Sequence, residues 1–412
     1  MNEIVAVPGP TMMSHGDIDH AAIDALIAWM IDGAPPSRGE TARPGSRIDD
    51  ICRRLVAAGV PIGRFALFVN LLHPNIEGRR IAWTAEDGVT ITDGPIGVSS
   101  TVEYTRNPLP KVISEQVSIR RRLNDPDALS EFMILSELRD EGFTDYMAMP
   151  LVFTDGEIHA ATFSTKAPQG FSLEAIAAIE LIRRPLARLA ETYVLRINAA
   201  SILSAYVGRN SGDQILGGSI HRGDGEEIEA AILFTDLIGF TELSNTMSGP
   251  EIVTMLNDAF DIVVPPVEKH GGEVLKFLGD GFFAIFPYNG KTTRADAVKA
   301  ASETILEGET LLAASPHAGK IAFRSALHAG SFHYGNIGGA NRLDFTAIGG
   351  PINYAARLLD AAAVLDLRHV VSEEIATNLC VDAKLAATVE FKGFEGPQKL
   401  FTYCGREEHH NL

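Results

Sequence analysis

Two apolar runs, each leading to an acid beside a turn, constrain this chain more than any other feature. In ILFTDLIGFTEL, residues 232–243, a run suited to a buried strand delivers Asp236 onto a turn that opens a helix. In VLKFLGDGFFAIF, residues 274–286, two apolar halves flank Leu278-Gly279-Asp280-Gly281 and predict a hairpin with Asp280 at its tip. An Asp before glycine or at a helix start most often serves only to cap a turn. Two acids on rigid strand ends can also hold metal ions. Magnesium takes oxygen ligands and shares them with substrate phosphates, so this pair suits phosphoryl transfer better than proton abstraction. After Asp236, the backbone N–H groups of Leu237, Ile238, Gly239, Phe240 and Thr241 would face an anion at the helix start.

A length of 412 residues is enough for two or three domains, and 46% hydrophobic content fits globular folding. The formal charge of -18 disfavours nucleic acid or an anionic membrane as partner, because phosphate binding is driven by clustered Lys and Arg. Cys52, Cys380 and Cys404 lie far apart and form no metal-ligand spacing, which suits a reduced cytoplasmic interior. No signal peptide is expected before the first helix. Apolar stretches such as residues 260–267 are too short for a bilayer and contain prolines, so no membrane span is expected.

The organisation breaks where a long amphipathic segment ends in Gly217-Gly218 and the polar run HRGDGEE. The reading is residues 1–195 as a regulatory domain, 196–228 as a helical transducer, 229–405 as a catalytic domain and 406–412 as a tail. Upstream, helical periodicity covers 18–31 and 46–58, strands 65–72 and 80–83, a helix 128–141, and a long helix 172–203. Strands 146–153 and 158–165 are turned by Thr154-Asp155-Gly156. A Gly/Pro/Arg-rich loop spans residues 33–45. This order resembles the small-ligand sensor domains called GAF domains, with PAS a near neighbour. The resemblance implies an α/β domain with a small-molecule ligand, for which Trp83, Tyr146, Met147, Met149 and His159 are candidates that also read as ordinary core residues.

Downstream the pattern is strand 230–234, a helix capped by Ser248, Pro250 and Glu251 that runs to Gly271-Gly272, and then the Asp280 hairpin. A helix at 293–312, a strand at 321–329, a glycine-rich turn at 330–339, a strand at 342–348 and a helix at 351–364 follow. Short strands at 388–392 and 399–404 end the pattern. The expected class is α+β, ferredoxin-like, an antiparallel sheet covered on one face. Within LDFTAIGGPINYAARLLD, Asn353 and Arg357 stand four apart and share a helix face. Arg offers a planar fork that can follow charge developing on a phosphoryl group, and Asn offers a neutral hydrogen bond to sugar or phosphate. Lys276 sits inside an apolar strand pattern and needs a partner; Lys392 reads as a surface lysine.

The segments FTDLIGFT, EVLKFLGDGFFAIF, FTAIGGPINYAARL and VEFKGF resemble the catalytic domain of class III adenylate/guanylate cyclases. That resemblance implies two Mg²⁺ or Mn²⁺ ions per active site on Asp236, Asp280 and the Leu237 carbonyl, with substrate phosphates against Ile238, Gly239, Phe240 and Thr241. Lys276 falls on the purine-specifying lysine and Thr346 on its partner. The animal membrane-bound enzymes carry Asp there, whereas the subgroup called class IIIb carries Thr. Asn353 matches the ribose-orienting asparagine, Arg357 the transition-state arginine and Lys392 the lysine that binds terminal phosphates. The implied assembly is a head-to-tail homodimer that converts ATP to 3′,5′-cyclic AMP and pyrophosphate. Each site would take its acids from one chain and the remaining residues from the other. A guanylate cyclase would be expected to carry Glu in place of Lys276, and a catalytically silent cyclase-like binding protein would be expected to lack some of this set. Gly271-Gly272-Glu273 is similar to a diguanylate cyclase signature, but Val274 and Leu275 break it.

Overall fold

The computed structural model describes residues 18–35, 45–339 and 342–403. Most of the loop read at 33–45, Cys404 and the tail at 406–412 lie outside the described residues. The chain divides into two compact units, Met1–Ile202 and Leu203–Leu412. Among the described residues no helix is long and apolar enough to cross a membrane.

In the first unit, α1 (His20–Ile31) and α2 (Ser46–Ala57) precede β1 (Arg64–Asn70), β2 (Ile76–Thr84) and β3 (Gly88–Pro95). Short helices α3 (Val102–Thr105) and α4 (Leu109–Glu115), strand β4 (Ile119–Arg122), and helices α5 (Pro126–Leu129) and α6 (Met133–Asp140) follow. Strands β5 (Asp145–Val152) and β6 (Ile158–Thr165) lead into the long helix α7 (Leu173–Val207). The six strands pair in the order β3-β2-β1-β6-β5-β4, every neighbour antiparallel. The expected order of helices and strands is present. Strands β3 and β4 were not foreseen, because TITDG and IRRR carry too few apolar residues to show alternation. The single helix expected at 128–141 is two short helices, α6 starting only after an extended Phe132.

The second unit opens with α8 (Arg209–Leu216), then β7 (Gly225–Leu237), α9 (Phe240–Thr246), α10 (Gly249–Val263) and α11 (Pro265–Lys269). The hairpin β8 (Glu273–Leu278) and β9 (Gly281–Pro287), helix α12 (Arg294–Ala313), β10 (Phe323–Gly338), β11 (Leu343–Ile348) and α13 (Gly350–Val364) follow, with β12 (His369–Ser372), β13 (Lys384–Glu390) and β14 (Pro397–Thr402) at the end. The ferredoxin-like set β7-α10-β8-β9-α12-β10 has its strands in the order β10-β7-β9-β8, extended through β12 and β14 to β13. Ser248 begins α10 as expected, its N–H and hydroxyl both donating to the Glu251 carboxylate at 2.8 and 2.6 Å. That helix stops at Val263 rather than continuing to 267, since Pro265-Pro266 removes two backbone donors and restarts the chain as α11.

Two further expectations fail for physical reasons. The sheet is covered on both faces: Ala231 and Leu233 of β7 pack with α10 and α12, while Ala230, Ile232 and Phe234 pack with Ile352 and Ala355 of α13. A strand buried on both faces reads as a continuous apolar run rather than an alternating one. Residues 330–339 are mostly strand, because Gly330 and Gly335 serve close packing rather than a turn. A Cβ at Gly330 would lie 2.5 Å from the Pro351 ring, and one at Gly335 2.3 Å from the Asp224 carbonyl oxygen. We predict that Gly330→Ala, which forces α13 off the sheet, costs about 1–3 kcal/mol in urea unfolding; an unchanged midpoint would show that this contact yields freely.

Candidate active site

Asp236 is the next-to-last residue of β7, not a turn residue, and its register partner on β10 is Arg324. By alternation it continues the face of Ile232 and Phe234 to the strand end. Beside it, the Thr235 hydroxyl accepts from the Phe282 N–H at 3.0 Å and donates to the Phe282 carbonyl at 3.3 Å, joining β7 to β9. Gly281 makes that junction possible. A Cβ there would sit 1.9 Å from the Thr235 carbonyl oxygen and 3.0 Å from the Asp236 Cα, so only glycine permits the approach. Gly279, with φ 70°, turns the hairpin and sets Asp280 at its tip.

The outcome is two carboxylates in contact. Burial pushes the Asp236 carboxyl up to about 6, helped by the negative charge of Asp280 and a hydrogen bond with it. Arg324 and the Leu237 N–H pull the other way without cancelling this. Arg324 is itself directed elsewhere, its Nε donating to the Leu367 carbonyl at 3.0 Å. Two acids crowded together without a sufficient counter-charge fit a divalent cation. Among the described residues no group of three or more His, Cys, Asp or Glu could hold a metal. The two carboxylates, with the Leu237 carbonyl at the strand end, offer oxygen donors alone, as suits Mg²⁺ or Mn²⁺ that keeps waters and substrate phosphates.

The expected row of phosphate-facing amides is shorter than the sequence suggested. The Ile238 N–H donates to the Ala322 carbonyl at 2.8 Å and cannot face a ligand. Gly239 follows in a left-handed conformation, φ 77°, and Phe240 and Thr241 open the seven-residue helix α9. Lys276 has the partner it needed: its Nζ lies 2.7 Å from the Asp344 carboxylate on β11. Thr346, two residues further along the same strand, lies opposite Gly335. Asn353 and Arg357 lie on the exposed side of α13, and the Arg357 guanidinium donates to Asp360 at 3.1 Å. Lys392 is exposed in the segment after β13. Thus one chain joins Asp236 to Asp280 and links the strands bearing Lys276 and Thr346. Thr235, Gly281, Arg324 and Asp344 were missed; for Asp344 a signal existed, since it alternates with Thr346 in LDFTAI.

With this geometry established, residues 225–404 match the family model for the Adenylate and Guanylate cyclase catalytic domain. An uncharacterized protein of Mycobacterium tuberculosis is 33% identical over 180 residues, covering 42% of this chain and 32% of the relative. Adenylate cyclase 1 of Rhizobium meliloti is 33% identical over 134 residues, covering 32% of this chain and 20% of the relative. The match thus spans a third or less of these relatives' lengths. Among solved structures, the adenylyl cyclase CyaB from P. aeruginosa aligns over 43% of this chain and 94% of its own, with 24% identity and a TM-score of 0.38. On the family match alone, residues 225–404 of the second unit form an adenylate and guanylate cyclase catalytic domain.

The two-acid corner predicts an inverted pH response. A carboxyl raised in the folded state destabilises that state when ionised, so the penalty is fully present above pH about 6 and gone below the unfolded value of 3.8. Asp236→Asn should raise the thermal midpoint at pH 7.5 in EDTA, an advantage that vanishes as pH falls toward 4. Added Mn²⁺ should stabilise wild type but not the variant. A lower midpoint for the variant at pH 7.5 in EDTA would contradict this picture.

Proposed function

We propose that this chain is an adenylate cyclase, regulated through a GAF-like first unit, that acts as a head-to-tail homodimer. The observation that carries the reading is the contact of Asp236 with Asp280 at a strand end of a cyclase catalytic domain. Adenine as the base is supported by Lys276, a hydrogen-bond donor where a guanine site would be expected to carry Glu, with Thr346 on the neighbouring strand. The homodimer is supported by Asn353 and Arg357, exposed on α13, whose side chains make among the described residues no hydrogen bond or ion pair beyond Arg357–Asp360. Along α7, Leu181, Leu195 and Ile202 are exposed at multiples of seven residues, followed by Tyr206, the spacing of a seam between parallel helices. After Gly208, α8 is joined to the catalytic sheet by Ser211 to Tyr334 and by Asn210 to Glu273. This continuity supports α7 and α8 as the transducer.

In this reading the ATP 3′-hydroxyl attacks the α-phosphate, the bond to the β-phosphate bridging oxygen breaks, and the hydroxyl proton leaves with pyrophosphate. Two divalent ions, when bound, would ease loss of that proton and neutralise the phosphate oxygens. Asp236 and Asp280, with the Leu237 carbonyl, would hold them. Gly239, Phe240 and Thr241 line the phosphates, Lys392 grips their far end, Asn353 orients the ribose, and Arg357 follows charge developing in the transition state.

Arg357→Ala should lower turnover about a hundred- to a thousand-fold, or roughly 3–4 kcal/mol of transition-state stabilisation, with little change in KM. Mixing Asp236→Ala chains with Arg357→Ala chains should restore activity in one of the two sites of each heterodimer. Absence of rescue in confirmed heterodimers would overturn the shared-site assembly.

A further inference from the structure

The two faces of the first sheet differ in chemistry. On one face Phe65, Leu67, Ile81, Trp83, Met147 and Phe163 form an unbroken apolar core with α1, α2 and α7. Trp83, Met147 and Met149 belong to it, and His159 is buried with its ring against Phe153, so none of these expected ligand residues meets the cavity on the other face. Of that expected set only Tyr146 does.

On that other face Arg64, Arg80, Tyr146, Thr162 and Ser164 converge on a cavity of about 120 Å³. The register fixes this: Arg64 lies opposite Ser164, and Ser164 opposite Tyr146, while Arg80 lies opposite Phe68. Apart from Asn107, the cavity's remaining walls are apolar, with Phe68 from the sheet and Leu109 and Ile134 from α4 and α6. Asn107 ties those two helices' ends together by accepting from the Ile134 N–H at 3.1 Å.

The two arginines stand out from their neighbours. Arg79 on β2 makes a double hydrogen bond to Asp93 at 2.6 and 3.0 Å, Arg120 pairs with Asp145, and Arg121 with Glu131. Among the described residues Arg80 has only the Thr92 hydroxyl at 3.3 Å, and its buried Nε has no hydrogen-bond partner. The carboxylate near Arg64 is Glu141, 3.7 Å away and more than half exposed. A buried donor on a guanidinium without an acceptor is costly, and a ligand that brings the acceptor removes the cost.

We propose that this cavity is a binding site for a small organic anion, a carboxylate with a short apolar body. Its head lies between Arg64, Arg80 and the Tyr146 hydroxyl, and its body lies toward Phe68, Leu109 and Ile134. A dry cavity of roughly 150 Å³ holds benzene, so this smaller one takes a ligand of about five to seven non-hydrogen atoms. The assignment gives the regulatory reading of the first unit a ligand class and rests on nothing in the cyclase reading.

The test is calorimetric titration of the full chain, at fixed ionic strength, with butanoate and with 3-methylbutanoate, each against its neutral amide. We expect one carboxylate per chain to bind saturably at millimolar concentration or below, with the matched amide at least about tenfold weaker. Arg80→Gln should lose the binding and Arg80→Lys recover part of it, both without turnover being measured. Failure of both carboxylates to bind wild type would overturn the site. So would equal binding of acid and amide, a comparison that decides even where an arginine variant does not fold.

Discussion

The close approach of β9 to β7 at Gly281 is the constraint on which the catalytic unit depends. Without a side chain at that position, Thr235 can clamp the Phe282 backbone from both sides, and the hairpin tip comes down beside the end of β7. Asp236 and Asp280 are then forced together by backbone geometry rather than drawn together by attraction. The energetic sense of this arrangement is unfavourable on its own, as the upward displacement of the Asp236 carboxyl shows. Two acids held in contact at a rigid strand end suit a cation, and the surrounding sheet makes their unfavourable burial tolerable. Apolar packing on both of its faces holds β7 in place however the acids interact.

Much of this was legible in the primary structure, and for identifiable reasons. The hairpin at Asp280, the Ser248–Glu251 cap and the helix bearing Asn353 and Arg357 follow from local rules of turn chemistry, capping and periodicity. The strand order of the catalytic sheet and the contact at Gly281 depend on residues distant in sequence, and no local pattern announces them. Glycine at 330 was misleading because the same residue type serves turns and close packing, and only the Pro351 ring beside it distinguishes the two. The Ile238 amide looked available for a phosphate until the Ala322 carbonyl was found opposite it. Lys276 was correctly expected to need a counter-charge, which the neighbouring hairpin supplies as Asp344.

The first unit shows the complementary limit. Its strands β1, β5 and β6 are buried at nearly every position, so which residues share the reverse face could not be judged without the register. Arg64, Arg80, Tyr146, Thr162 and Ser164 are scattered over a hundred residues and read singly as ordinary strand positions. Antiparallel pairing across four strands is what makes them one surface, and an Arg80 Nε without an acceptor among the described residues is what separates that surface from ordinary packing. Both units therefore place half-buried charge at a site that an added ion would complete, negative in one and positive in the other.

The central claim, that the Asp236–Asp280 corner supports cyclisation of ATP, is tested most directly by product analysis of the full chain incubated separately with ATP and GTP in Mg²⁺ or Mn²⁺. The account predicts cyclic AMP and pyrophosphate in equal amounts from ATP, little product from GTP, and neither product from the Asp236→Asn chain. Cyclic GMP as the main product, or cyclic AMP formed at an undiminished rate by Asp236→Asn, would contradict it.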